Sequence, residues 1–279
     1  MTSRRDRLLE AMGLGPVWRL RARSGIGRDA SRDSAAQGPP RQGESGLAAA
    51  DGGHARAAVG LGGASPESLP TVPQRGDAED RSARIARMDW TELRAAVAAC
   101  EACPLARTRT QTVFGVGDER AELLIVGEAP GAEEDARGEP FVGQAGRLLD
   151  NMLAALSLKR GEGVYIANVL KCRPPQNRNP EPFEVAQCGV HLERQIDLIG
   201  PRLILAMGRF AAQTLLASDA SIASMRGRRH RYRGIPAIVT YHPAYLLRNL
   251  PDKARAWEDL VFVRRTLREL GGAVRSKAE

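Results

Sequence analysis

Four cysteines constrain this 279-residue chain more than any other feature it carries. Cys100 and Cys103 form a CxxC pair, whereas Cys172 and Cys188 follow much later in the chain. The two sets can meet only through tertiary structure, so a shared centre would clip distant parts of one domain together. Two of the four sit beside a proline or basic residues, in Cys103-Pro104 and Lys171-Cys172-Arg173. Unconnected buried thiols are the bland alternative. Spacing favours a metal centre instead; zinc and iron–sulfur both accept four thiolates, and zinc leads on spacing alone. Between the two pairs lies Gly127-Glu-Ala-Pro-Gly131, a glycine loop that points to a pocket beside the centre.

Composition divides the chain near position 84. From Met1 to Ala83, glycine, alanine, arginine, serine and proline dominate, and Gln37-Gly-Pro-Pro40, Gly52-Gly53 and Gly62-Gly63 break any periodicity. Residues 1–83 therefore read as a disordered extension and residues 84–279 as the folded domain. Residues 1–23 stand apart, because Leu8, Leu9, Met12, Leu14, Val17, Trp18 and Leu20 among arginines suit a short docking peptide for a replication or repair protein. Glu10 interrupts that apolar run, which is too short for a signal peptide, and no apolar stretch is long enough to span a membrane. A cytoplasmic or nucleoid setting is expected, where thiols stay reduced and available to metal. The formal net charge of +8 suits a polyanionic partner such as nucleic acid, although basic proteins are common.

In the folded part, Asp89-Trp-Thr-Glu92 is a capping-box pattern ahead of Trp90, Leu93 and Val97 at helical spacing, so a short helix delivers Cys100 and Cys103 at its end. Leu123–Val126, Val164–Ala167, Leu203–Ala206 and Ala237–Thr240 are short apolar runs that read as buried strands. Helical patterns separate them: Ala145, Leu148, Leu149, Met152 and Leu156 on one face, then Glu184–Ile199 and Arg209–Leu216, with a last helix over about Asp252–Leu270. The alternation predicts an α/β fold, three layers α/β/α around a mostly parallel central sheet. Sites in such sheets lie beyond the carboxyl ends of the strands. That places Gly127–Gly131, Asn168–Arg173, Met207-Gly208 and Tyr241–Ala244 around one pocket.

A phosphate loop is the first generic reading of Gly127–Gly131, but the GxxxxGK[ST] lysine is absent and Glu133-Glu-Asp135 would repel phosphate. GxGxxG is absent as well, so no dinucleotide site is indicated. Instead, five segments in order closely resemble the family-4 uracil-DNA glycosylases. They are Gly127-Glu-Ala-Pro-Gly131, Pro140-Phe-Val-Gly143, Asn168-Val-Leu-Lys-Cys-Arg-Pro-Pro175, Asn177-Arg178 and His242-Pro-Ala-Tyr-Leu-Leu-Arg248. The resemblance covers about residues 85–270, with all four cysteines at matching places. It implies a monomeric base-excision repair hydrolase that removes uracil from single- or double-stranded DNA and leaves an abasic site. It also reverses the preference for zinc, assigning Cys100, Cys103, Cys172 and Cys188 to a structural 4Fe-4S cluster.

The same resemblance distributes roles over the pocket, where Gly127, Ala129 and Gly131 line the base. Phe141 is suited to stack on a flipped ring, against the alternative of plain core packing. Asn168 can accept from uracil N3–H and donate to O4, a pattern that cytosine inverts; a strand-end asparagine is otherwise often a turn residue. Glu134 is implied to fill the space of thymine's methyl, whereas Glu133 reads as a solvated face. His242 can donate to O2 as charge develops there, while His54, His191 and His230 lack such context. Tyr245, Leu246, Leu247 and Arg248 are implied to form an insertion loop with two apolar wedges and a cation; Leu246 and Leu247 could instead be buried in the final helix. One departure stands out: better-known uracil glycosylases outside this family carry a water-positioning aspartate where Ala129 lies. Glu128, Glu134 and Asn177 are the candidates for that task, unless expulsion of the anion dominates. A glycosylase for another deaminated base such as hypoxanthine, or a non-catalytic cluster-bearing nucleic-acid binder, are the rival readings.

Overall fold

The computed structural model describes the backbone of residues 75–271 and the side chains of residues 80–271. The docking peptide expected over residues 1–23 lies outside the described residues. Four apolar runs form the strands β2 (Leu123–Gly127), β3 (Val164–Asn168), β4 (Leu203–Met207) and β6 (Ile235–Thr240), which pair in parallel. β2, β3 and β4 are buried at every position, as strands covered on both faces must be. Two short edges flank them, β1 (Val116–Gly117) and β5 (His230–Tyr232), giving the order β1-β3-β2-β4-β6-β5 with both edges antiparallel.

Successive side chains of each strand point to opposite faces, and this alternation builds two cores. Leu124, Val126, Tyr165, Ala167, Ile204 and Ala206 pack under α5 (Pro182–Ile199) and α6 (Arg209–Leu216). Leu123, Ile125, Val164, Ile166, Leu203 and Leu205 pack under α4 (Gln144–Ala155) and α9 (Asp252–Glu269). The result is the expected three-layer α/β/α arrangement. Shorter helices complete it: α1 (Arg75–Ile85), α2 (Trp90–Ala98), α3 (Ala132–Arg137), α7 (Ile222–Met225) and α8 (Pro243–Arg248).

The capping box ahead of α2 forms as read: Glu92 N–H donates to Asp89 Oδ1 at 2.9 Å and Asp89 N–H to Glu92 Oε2 at 3.0 Å. The boundary drawn at position 84, by contrast, falls inside α1. Arg81 of that helix donates to the Gln187 carbonyl of α5 at 3.0 Å, and Ile85 is buried with Leu93, Val97 and Phe114. Composition hid this helix, because its sequence between 75 and 84 is polar and carries no apolar stripe.

In the sheet, Gly127 stands opposite Asn168 and Met207 opposite Thr240. The carboxyl ends of four parallel strands thus lie side by side, and the loops that follow them converge on one cleft.

Candidate active site

A cleft of about 660 Å³ opens at this edge of the sheet. Glu128, Ala129, Gly131, Glu134, Phe141, Asn168, Asn177, His242, Tyr245 and Arg248 all line it, drawn from five separate segments of the sequence. Gly127 lies just beneath. A Cβ there would stand 2.4 Å from Asn168 Oδ1 and 2.7 Å from Phe141 Cζ, so only glycine lets the amide and the ring approach each other over this strand end.

Phe141 is held in an uncommon backbone conformation, φ 56°, by its surroundings. Arg160 donates to the carbonyls of Pro140 and Phe141 at 2.9 and 2.8 Å. A Cβ on Gly146 would fall 1.7 Å from the Phe141 oxygen, so α4 can approach this close only with glycine there. The ring stacks on His242, with centroids 5.3 Å apart and planes inclined by 26°.

His242 caps α8, and its Nδ1 accepts from Ala244 N–H at 3.1 Å. That bond fixes the tautomer of the neutral ring, leaving the proton on Nε2. Burial pushes the ring's pKa down to about 4, against an opposing pull from Glu134. The imidazole is therefore neutral at pH 7 and a donor through Nε2. Asn168, only 2% exposed, lines the same cleft, and its side-chain amide makes no hydrogen bond to another described residue. A buried amide normally finds partners inside the protein; this one instead borders the cleft with both polar atoms unbonded to described residues.

The three candidates for holding water separate on geometry. Glu134 is occupied: Oε2 accepts from Gly131 N–H at 3.1 Å and Oε1 from Val142 N–H at 3.1 Å, clipping the glycine loop to the Phe141 loop. Asn177 is exposed, and its Oδ1 accepts from Arg173 Nε at 2.8 Å. The Glu128 carboxylate accepts no hydrogen bond from a described residue. Burial raises its pKa to about 6, partly offset by the Arg209 guanidinium.

The expected insertion loop needs one correction. Leu246 is 0% exposed and packs in the core beneath α9, because it lies on the inward face of the short helix α8. Leu247, at 37% exposed, and Arg248 face outward. Tyr245 stacks on Tyr241 at 5.2 Å and donates to Asp252 Oδ2 at 2.6 Å, so it braces the loop. Of the two leucines expected as wedges, Leu247 alone is exposed.

Sequence reasoning gave no site role to Arg209 and Phe210, nor to Arg178 within the Asn177-Arg178 segment, which also line the cleft. Arg209 follows Gly208 directly at the start of α6, so the signal was its place one residue beyond a loop already assigned to the pocket.

A family profile for the uracil DNA glycosylase superfamily matches residues 114–261. A type-4 uracil-DNA glycosylase of Archaeoglobus fulgidus is 47% identical over 159 residues, covering 54% of this chain and 79% of the relative. The type-4 uracil-DNA glycosylase of Thermotoga maritima is 45% identical, covering 56% and 82%. That of Sulfurisphaera tokodaii is 41% identical, covering 55% and 73%. The chain belongs to the type-4 uracil-DNA glycosylases.

In this glycosylase the four cysteines gather around one small cavity, together with Arg109, Lys171, Gln187 and His191. None is in a disulfide. Burial raises the thiol pKa of Cys103 and Cys172, and carries that of Cys188 up to about 12. Three donors point at sulfur: Arg81 to Cys100 at 3.6 Å, Arg109 to Cys172 at 3.3 Å and the Lys171 N–H to Cys188 at 3.2 Å. Donors of this kind stabilise thiolates over thiols, so the set fits a group that takes four anionic sulfurs. Among the described residues, no three His, Cys, Asp or Glu side chains are grouped as a single ion requires.

His191, set aside on sequence for want of context, forms part of this cavity wall. It is 1% exposed, with Nε2 3.0 Å from an Arg81 nitrogen. No local motif signalled it; the crossing of α1 over α5 brings Arg81 there.

Proposed function

We propose a division of labour in the cleft by which this uracil-DNA glycosylase releases uracil from single- or double-stranded DNA. The observation that carries it is the unpartnered Asn168 amide set beside Phe141 and His242. A deoxyuridine swung out of the stack lays its base against Phe141, where Asn168 accepts from N3–H and donates to O4. Cytosine offers an acceptor and a donor at those positions and is refused.

As the bond from C1′ to N1 lengthens, its electron pair moves onto the base, and His242 Nε2–H donates to O2. Water adds its oxygen to C1′ and passes a proton to Glu128, whose carboxylate is untied and faces the cleft. Uracil leaves as the anion and takes up a proton afterwards. Leu247 enters the vacated stack, while Arg248 and Arg209 meet the phosphates.

A single-turnover assay of uracil excision against pH tests this reading. The wild-type rate should rise as pH passes about 6, the value to which burial raises Glu128, and level off above it. Glu128→Gln should lose that limb and slow by on the order of 10². A wild-type chain without uracil excision ends the reading; a Glu128→Gln variant at the wild-type rate removes Glu128 from it.

For the cysteine cavity, Cys100, Cys103, Cys172 and Cys188 would hold a 4Fe-4S cluster. What supports this over zinc is the resemblance to the family-4 glycosylases, which covers all four cysteines, together with their gathering around one shared cavity. The reaction is a redox-neutral hydrolysis, so a bound cluster supplies a cross-link between α2, the strand β3 exit and α5. Protein purified without oxygen should contain iron and sulfide at about four each per chain, and Cys103→Ala should melt at a lower temperature. Stoichiometric zinc in a colourless protein would refute the assignment.

A further inference from the structure

The Lys171 side chain has no task yet in either centre, although the residue borders both. Its side chain is only 1% exposed, and removing an ammonium from water is costly unless acceptors replace the water. Here Nζ donates to the backbone oxygen of Asn168 at 2.9 Å and to Gln195 Oε1 at 2.6 Å. Gln195, at 0% exposed, is itself anchored through Nε2 to the Phe114 carbonyl at 2.9 Å. The backbone of Lys171 faces the other way: its N–H lies 3.2 Å from Cys188 Sγ, and its carbonyl accepts from Val113 N–H at 2.7 Å.

The residues between complete the connection. Val169 N–H and Leu170 N–H donate to the carbonyls of Gly127 and Glu128, each at 3.0 Å. Residues 168–172 are thus bonded to the glycine loop at one end and to the cysteine cavity at the other. An apolar side chain of similar length would fill the same volume without the desolvation cost. It would leave the Asn168 carbonyl without this donor and the peptide plane that carries the Asn168 side chain less firmly fixed.

We propose that Lys171 is a positioning residue for base recognition, holding the Asn168 peptide, and with it the amide that reads uracil, in register with the cysteine centre. This rests on the reading of Asn168 as the group that grips the base. Displacing a binding group by about 1 Å can cost on the order of 10²-fold in rate, so the structural lever is large.

The test uses the full chain purified without oxygen, as wild type, Lys171→Met and Gln195→Met. Four quantities are read: single-turnover excision of uracil, inhibition by free uracil, affinity for DNA without uracil, and melting temperature with iron content. Lys171→Met should excise uracil about 10- to 100-fold more slowly and bind free uracil more weakly, while DNA affinity and iron content stay at wild-type levels. Gln195→Met, which releases the other hold on Nζ, should shift the same two quantities in the same direction. Should Lys171→Met not fold, Gln195→Met decides by these criteria alone. Unchanged excision and uracil inhibition in the folded variants overturn the proposal. So does a loss of rate that merely tracks falling DNA affinity, iron content and melting temperature, since that is a packing defect. A wild type that excises no uracil removes the base-reading role and this inference with it, whereas an active wild type with unaffected variants removes the inference alone.

Discussion

Asn168→Asp should lower the single-turnover rate of uracil excision by about 10⁴ to 10⁵, the discrimination reached when a site built to hydrogen-bond its substrate is left mismatched. The native amide supplies one acceptor and one donor from a single rigid plane, at a position 2% exposed and opposite Gly127 in the sheet. An aspartate keeps the acceptor for N3–H, loses the donor for O4 and sets a negative charge against that oxygen. Burial raises a carboxyl pKa, so lowering the pH should restore part of the activity as the protonated form regains a donor. Cytosine excision should be measured alongside, because its exocyclic amine can donate to the new carboxylate and the uracil-to-cytosine ratio should fall. The melting temperature separates lost recognition from lost folding. Near-normal uracil excision by a folded variant would take Asn168 out of the pocket.

The parts of this molecule that obey a single period were legible in its sequence. Leu123–Val126 and Leu203–Ala206 are unbroken apolar runs, and they form strands buried at every position because both faces of the sheet are covered. Asp89 and Glu92 announce a helix start by local chemistry that needs no tertiary partner. The edge strands carried no such signal. β1 has two residues and β5 three, neither fully buried, and β5 turns into β6 through Arg233-Gly234, a two-residue turn with positive φ at both positions but without the Asn-Gly or Asp-Gly that marks most of its kind.

Within the site, most residues that line the cleft were named by motifs, whereas the residues that hold them in place could not be. Glu134 lies in an acidic run whose exposed member Glu133 is the ordinary case. Its role as a clip between two loops depends on backbone N–H groups at Gly131 and Val142, which no side-chain pattern reveals. Arg160 reaches the Phe141 carbonyl from a turn after α4, and Lys171 reaches Asn168 from within the cysteine motif itself. Leu246 and Leu247 are adjacent and chemically alike; the rotation of a six-residue helix decides that one is core and the other faces outward.

His242→Ala should slow the chemical step by about 10² to 10³, the usual consequence of losing one donor to a developing oxyanion. The geometry restricts how the ring can act. With Nδ1 accepting from Ala244 N–H at 3.1 Å, only Nε2 is free to donate. Its pKa, pushed down to about 4 by burial, keeps the ring neutral through the working range. The wild-type rate should therefore show no inflection at the ordinary imidazole value near 6.5, and any limb at about 6 should vanish in Glu128→Gln but persist in His242→Ala. A ring whose pKa is depressed on folding also favours the folded state above its unfolded value. That contribution is lost as pH falls from about 6.5 towards about 4, where the folded ring takes up its proton. His242→Ala should accordingly flatten the acid limb of the stability curve. Affinity for uracil-containing DNA should change little, since in the proposed reading it rests on phosphate contacts and the outward-facing Leu247. Losing the Nδ1 cap of α8 should lower the melting temperature on either reading; if His242 only braced the turn before Pro243, DNA affinity would fall together with the rate. A folded variant that binds like the wild type and turns over at its full rate would show that the Nε2–H does not reach the leaving base.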